Sequence, residues 1–183
     1  MEVLNWSTER IAKVKPEEFY NLIDRNRNRI IQTFPITALG CTTLEDTITF
    51  LQEAVDNEIW NENYYFYLRD NESDILIGYV VIKNIEPDAA MCELAYFIDA
   101  AFEGKGIITT AVGNTLDFCF RELELNKVTI STLPSNIASQ KIALNHGFVR
   151  EGILRQEFKS GEGKLEDVVY FGLLKEEYKK NEK

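Results

Sequence analysis

CELAYFIDAAFEGKGIITTAVGNTLDFCFREL, residues Cys92 to Leu123, changes its period in the middle. The first part, Cys92 to Asp99, is apolar and strand-like. The last part places apolar residues at 108, 111, 112, 116, 119 and 123, which is one face of a helix. Between them stands FEGKG, Phe102 to Gly106, with a lysine between two glycines. Glycines turning into a helix let backbone N–H groups face a ligand without Cβ obstruction, and the helix adds its own unpaired N–H groups and positive end. That is an anion site suited to a phosphate or pyrophosphate, with Lys105 adding charge from the side. A tight structural turn would use the same residues, because glycine punctuates loops everywhere.

Outward from this stretch the chain reads as an α+β pattern. Tyr64 to Asp70, Ile75 to Ile85 and Met91 to Asp99 are strands separated by the polar turns NES and EPDA, so a meander is expected. Arg10 to Val14 alternates and reads as a short strand. Pro16 opens a helix that stops before Phe34-Pro35, and Thr42-Thr43-Leu44-Glu45 resembles a capping box for a second helix to about Trp60. Downstream, Lys127 to Leu133 is a strand, Ser135 or Asn136 caps a short helix to about Asn145, and strands follow around 148–158 and 165–174, joined by the turn SGEGK. The order β-α-α-β-β-β-α-β-α-β-β predicts a mixed, mostly antiparallel sheet of about seven strands flanked by about four helices.

The 183 residues suit one domain over 1–183. No repeat or Pro/Gly/Ser linker divides them, and the charged tail, 175–183, is expected to be solvated and frayed. No apolar run approaches the ~18–20 residues that cross a bilayer. Cys41, Cys92 and Cys119 show no CxxC spacing, and with one histidine a zinc or other metal site is not expected. Free thiols and the lack of a basic, apolar leader predict a cytoplasmic protein without a membrane partner. The net charge of −10 disfavours nucleic acid and suits cationic partners such as amines or basic peptides.

The glycine loop fits neither common nucleotide motif. A P-loop needs GK[ST], whereas Ile107 and Ile108 follow Gly106; a Rossmann turn needs an early βαβ unit, whereas this loop follows a meander. Glu103-Gly104-Lys105-Gly106-Ile107-Ile108 resembles instead the (Gln/Arg)-x-x-Gly-x-(Gly/Ala) loop of the GCN5-related N-acetyltransferases, the GNAT superfamily. ELAYFIDAAFEGKGIITTAV, NIASQKIALNHGFVREGILR and EDVVYFGLL look like the RimJ/RimL-type branch, which acetylates ribosomal-protein N-termini. Its ordered motifs are matched by Gly104 to Gly106, Asn136 with Ser139, Gly147-Phe148 with Glu151-Gly152, and Asp167. NRNRIIQTFP, Asn26 to Pro35, is similar to that branch's early substrate-side segment, where Phe34 is a substrate candidate; Arg25, Arg27 and Arg29 are candidates to line the acceptor site, with a solvated helix face as the alternative reading of such a run. Glu103 and Ile108 depart from the loop pattern, and a carboxylate beside a pyrophosphate is unfavourable unless it points away.

The resemblance implies a GNAT fold and acetyl-CoA as acetyl donor. Its pyrophosphate would lie on Glu103, Gly104, Lys105, Gly106, Ile107 and Ile108, and its pantetheine arm on backbone groups of Tyr96, Phe97 and Ile98. Asn136 would contact the pantetheine and Ser139 the leaving thiolate, although helix capping needs the same residue types. The acceptor would be a primary amine, a protein N-terminus or a small amine such as a polyamine, attacking directly in a ternary complex. A CoA-binding sensor without catalysis is the reading from another class, and a homodimer is an assembly the family allows. Glu93, on an apolar strand, is the first candidate for a general base, with a purely orienting carboxylate as the alternative. Glu157 is the second, its face depending on the strand's phase. His146 reads as a helix-end residue rather than a catalyst, and Cys92 should face away from Glu93.

Overall fold

A computed structural model describes residues 5–181. In chain order the elements are β1 (Trp6–Glu9), α1 (Pro16–Ile30), α2 (Pro35–Gly40), α3 (Leu44–Ile59), β2 (Tyr64–Asp70), β3 (Ile75–Glu86), β4 (Met91–Ile98), α4 (Ile107–Asp117), β5 (Lys127–Thr132), α5 (Ile137–Asn145), β6 (Val149–Lys159), β7 (Leu165–Leu174) and α6 (Lys175–Asn181). Among the described residues, seven strands form one sheet in the order β1-β2-β3-β4-β5-β7-β6. Neighbours run antiparallel except β4 and β5, which run parallel. Helices cover both faces. Phe19, Leu22 and Ile23 of α1 pack with Tyr67, Tyr79 and Phe97 on one face. Ala111, Val112 and Leu116 of α4 pack with Val80, Leu94 and Ile130 on the other. β3 alternates between them, Tyr79 and Val81 to the first and Val80 and Ile82 to the second, so it reads as an unbroken apolar run.

Four expectations change. The first strand is Trp6–Glu9 rather than 10–14, because Trp6 to Glu9 pair with Tyr67 to Asp70 and the Arg69 guanidinium seizes Glu9. Ile11–Lys13 then forms a 3₁₀ turn that drops Ile11 into the α1/α3 core. Pro35 starts a helix as well as following one, its ring at the first position where no N–H is needed. The third change is at the tail, which is the helix α6 and is not frayed. Tyr178 stacks on Phe120 with ring centroids 4.9 Å apart, and Glu177 accepts the Leu174 N–H at 2.9 Å. Glu182 and Lys183, the last two residues of that tail, lie outside the described residues. Finally, α4 ends at Asp117 and runs on to Glu122 as a π-turn. The described residues therefore hold six α-helices, where about four were expected.

Arg27 shows why α2 is stable at only six residues. Its guanidinium donates to the carbonyls of Ala38 and Cys41, satisfying the end of a helix too short to stabilise itself. Arg27→Met is expected to cost about 2 kcal/mol, from loss of charge-assisted bonds to two half-buried carbonyls. Thermal unfolding checks it, and an unchanged midpoint would refute the role.

Candidate active site

The site begins where two strands part. β4 pairs with β5 only over Met91–Glu93 against Lys127–Thr129. Beyond that point β4 stays with β3 as far as Ile98, while β5 stays with β7 as far as Thr132. The two strands follow different neighbours, and a gap opens. The Asp99 N–H donates to the Ile77 carbonyl at 2.6 Å. Counting back in antiparallel alternation, Phe97 also bonds to β3, while Tyr96 and Ile98 turn their backbone groups into the gap. The Ile98 carbonyl is taken there by Arg29.

At the end of β4 the chain is anchored to α1. Asp99 is 5% exposed, and its carboxylate accepts from Asn26 at 3.0 Å, from the Ala101 N–H at 2.9 Å and from Arg25. Burial pushes the Asp99 carboxyl up, but the Ala101, Asn26 and Arg25 bonds outweigh it and hold the group below the ordinary carboxylate range. The loop follows. Gly104 (φ 71) and Gly106 (φ 79) are left-handed, and each is open where a Cβ would stand. Gly106 caps α4, and the first helical bond comes from Thr110, so the N–H groups of Ile107, Ile108 and Thr109 face out of the helix end. Lys105 Nζ lies 4.8 Å from the centre of the Phe102 ring. The Glu103 carboxylate pairs with Arg29, which turns its charge toward α1. A positive helix end, two open glycines and unpaired strand groups suit an extended ligand carrying a pyrophosphate.

A cavity of about 360 Å³ threads the sheet at the gap. Leu94 to Tyr96 and Ile130 to Leu133 form its waist. Phe34, Phe50 and Tyr65 line one end, and Asn136, Ser139 and Phe158 the other. Glu93 sits at the waist with its side chain 15% exposed. It accepts from Ser131 at 2.5 Å and from Asn84 at 2.8 Å, and Lys83, opposite it on β3, reaches it at 3.2 Å. Asn136 caps α5 by accepting the Ser139 N–H at 3.1 Å. The Tyr96 hydroxyl lies 3.1 Å from the Ser139 hydroxyl.

The cavity thus gathers Glu93, Tyr96, Phe34, Asn136 and Ser139 from the sequence candidates, with Gly104 to Ile108 in the loop after β4. Other candidates do not line it. Arg27 spends its donors on α2. Glu157 is exposed, because a bulge at Gln156, whose N–H donates to Asp167 at 2.9 Å, aims Phe158 inward in its place. His146 bonds the Thr109 carbonyl at 2.8 Å and ties α5 to α4. Cys92 is buried on the opposite face from Glu93, 3.9 Å from Cys119. Sequence reasoning passed over Lys83, Asn84, Ser131 and Phe158. None of them left a local signal: Lys83 and Asn84 fall in the polar end of β3, which also holds Glu86, and read there as ordinary strand-end residues.

Gly161 brings the turn after β6 against the end of α1. A Cβ there would lie 2.5 Å from the Ile31 carbonyl oxygen, so the turn after β6 reaches the end of α1 only as glycine. The Gly161 N–H donates to that carbonyl at 3.2 Å.

A family model described as an acetyltransferase (GNAT) domain matches residues 10–149. The chain belongs to the GNAT acetyltransferases. YjcK of Bacillus subtilis (strain 168), a probable N-acetyltransferase, is 34% identical over 147 residues, 78% of this chain and 80% of its own length. The ribosomal-protein-serine acetyltransferase of Escherichia coli (strain K12) is 33% identical over 85 residues, 46% of this chain and 48% of that protein. The crystal structure of a ribosomal-protein-S5-alanine acetyltransferase from Vibrio fischeri superposes with a TM-score of 0.85 over 97% of both chains at 24% identity, which shows the GNAT fold. The parted strands and the glycine loop are thus parts of an acetyltransferase fold. Among the described residues no helix is long and apolar enough to cross a membrane, and no cluster of metal-ligating side chains occurs.

Proposed function

We propose that this GNAT chain moves the acetyl group of acetyl-CoA to a protein N-terminal α-amine by direct attack in a ternary complex. Acetyl-CoA, as a thioester, supplies the activated acetyl group. The glycine loop and the first turn of α4 hold its pyrophosphate, and the Tyr96 backbone groups and the Ile98 N–H face its arm. Asn136 and Ser139 stand at the cavity end beside α5. The amine enters from the end lined by Phe34, Phe50 and Tyr65, and no cysteine lines the path.

The acceptor class rests on one observation: Lys83 already neutralises Glu93. A polyamine brings several positive charges and needs unpaired carboxylates at depth. An α-amine has pKa ~7.7–8.0, is partly neutral near pH 7 and enters a charge-balanced waist without penalty. The Escherichia coli relative, named for a ribosomal-protein serine, points to the same class. Glu93, held by Ser131 and Asn84, orients the amine and takes its proton through a water.

Turnover of acetyl-CoA with a short free-N-terminus peptide and with spermidine tests the reading. The peptide is expected to be the better acceptor, and no turnover with either would refute acetyl transfer. Lys83→Met should raise kcat/KM for spermidine relative to the peptide about tenfold, since an uncompensated carboxylate is worth roughly 1.4 kcal/mol to a second cation. Glu93→Gln should lower kcat with the peptide about 100-fold at pH 7. That deficit should shrink above pH 8, where the amine is neutral unaided. A deficit equal at pH 7 and 9 would leave Glu93 only its orienting role.

A further inference from the structure

The Tyr96 side chain packs against the core on the α4 side and also makes a polar contact. It leaves β4 on the α5 side, and its hydroxyl meets two atoms of Ser139, the hydroxyl at 3.1 Å and the carbonyl at 3.3 Å. Among the described residues Ser139 Oγ has no other hydrogen-bond partner. The serine is placed by Asn136, which accepts its N–H, and it lines the cavity. A serine hydroxyl has one proton and a free rotor. Which way that proton points is decided by whether the tyrosine gives or takes.

We infer that Tyr96 is a positioning residue that donates to Ser139 and so turns the serine proton into the cavity, toward the sulfur of the acetyl donor. This rests on the acetyl-transfer reading. A phenol held inside the protein must donate somewhere, and of the two acceptors in reach the Ser139 hydroxyl, at 3.1 Å, is nearer than the Ser139 carbonyl, at 3.3 Å. Burial raises the Tyr96 phenol more than the Ser139 bond lowers it, leaving it at about 12, so the phenol keeps its proton at the pH of the test. Ser139 then accepts from behind and donates ahead, and each bond polarises the next.

The chemistry balances without a proton leaving either hydroxyl. The amine nitrogen forms its bond to the acetyl carbon, the C–S bond breaks, and its electron pair goes to sulfur. Ser139 donates a hydrogen bond to that thiolate and keeps its proton. The proton lost by nitrogen passes to water by way of Glu93. A thiol of pKa ~8.5 needs only this stabilisation to leave.

The test uses binding as well as rate. CoA and desulfo-CoA are titrated calorimetrically at pH 9, where the thiol is largely ionised, into the unaltered protein, Tyr96→Phe, Ser139→Ala and the double variant. The unaltered protein is expected to prefer CoA about tenfold, the scale of a hydrogen bond to a charged group. Tyr96→Phe should lose most of that preference while binding desulfo-CoA unchanged. It should lower kcat about tenfold with the KM for acetyl-CoA kept, and add nothing in the Ser139→Ala background. An undiminished preference in Tyr96→Phe, or losses that add in the double variant, would overturn the inference while acetyl transfer stands. Failure of the unaltered protein to bind either ligand would instead remove the acetyl-transfer reading. Phenylalanine keeps the ring, and an unchanged melting midpoint separates the effect from unfolding.

Discussion

Asp99→Ala is expected to lower the unfolding free energy by about 3 kcal/mol, the lower end of the cost of breaking a buried ion pair. The lower end applies because the Arg25 side chain is 35% exposed and regains water, whereas Asn26 is buried and does not. For a chain of this size the melting midpoint should fall by roughly 6–12 °C. Asp99 also joins the end of β4 to α1 and caps the turn before the glycine loop, so acetyl-CoA affinity should fall with it. A pH series gives an independent check. The folded Asp99 carboxyl lies below its ordinary value. Its contribution is therefore fully present above the unfolded carboxylate pKa of ~3.9 and is lost as pH falls through the lower folded value. Asp99→Asn should flatten the loss of stability below pH 4. A midpoint within 2 °C of the unaltered protein for Asp99→Ala, about the shift from less than 1 kcal/mol, would show that the anchor is incidental.

Gly106→Ala is expected to weaken acetyl-CoA binding by roughly 100-fold, with Gly163→Ala as its control. Both glycines are left-handed, at φ 79 and φ 81, so either substitution strains the backbone by about 1–2 kcal/mol. Only at Gly106 does the new Cβ stand at the mouth of a helix N-terminus, where an anion must approach the N–H groups. The two variants should lose similar stability in thermal unfolding, and only Gly106→Ala should lose ligand-induced stabilisation. Acetyl-CoA at 100 times its dissociation constant should stabilise the unaltered protein by about 2.7 kcal/mol and Gly106→Ala by well under 1 kcal/mol. Equal binding by both variants would mean that the loop holds no phosphate.

Some of the site was legible because its signals are local. Gly104 and Gly106 mark a left-handed turn, since few other residues take φ near +75° cheaply, and the helix after them declares its face within four turns. Asn136 followed by Ser139 marks a helix start for the same short-range reason. Lys83 and Ser131 carry no such mark. They meet Glu93 because β3 and β5 flank β4 in one particular register, and a slip of one residue would send Lys83 to the far face. Glu157 and Phe158 show the same limit: Gln156 and Asp167, eleven residues apart, hold the bulge that picks which neighbour enters the cavity.

The sequence alone determined the succession of seven strands, the helices α1, α3, α4 and α5 between them, and the glycine turn into α4. Each of these depends on periods and backbone preferences acting over a few residues. Only the tertiary structure decided where β4 leaves β5, that Arg29 draws the Glu103 charge away from the loop, that Arg27 supports α2 rather than an acceptor, and that Tyr96 meets Ser139 across 43 positions of chain. Those outcomes depend on which surfaces the whole fold brings within hydrogen-bond range. Packing between distant elements sets that choice, and no local stretch of sequence carries it.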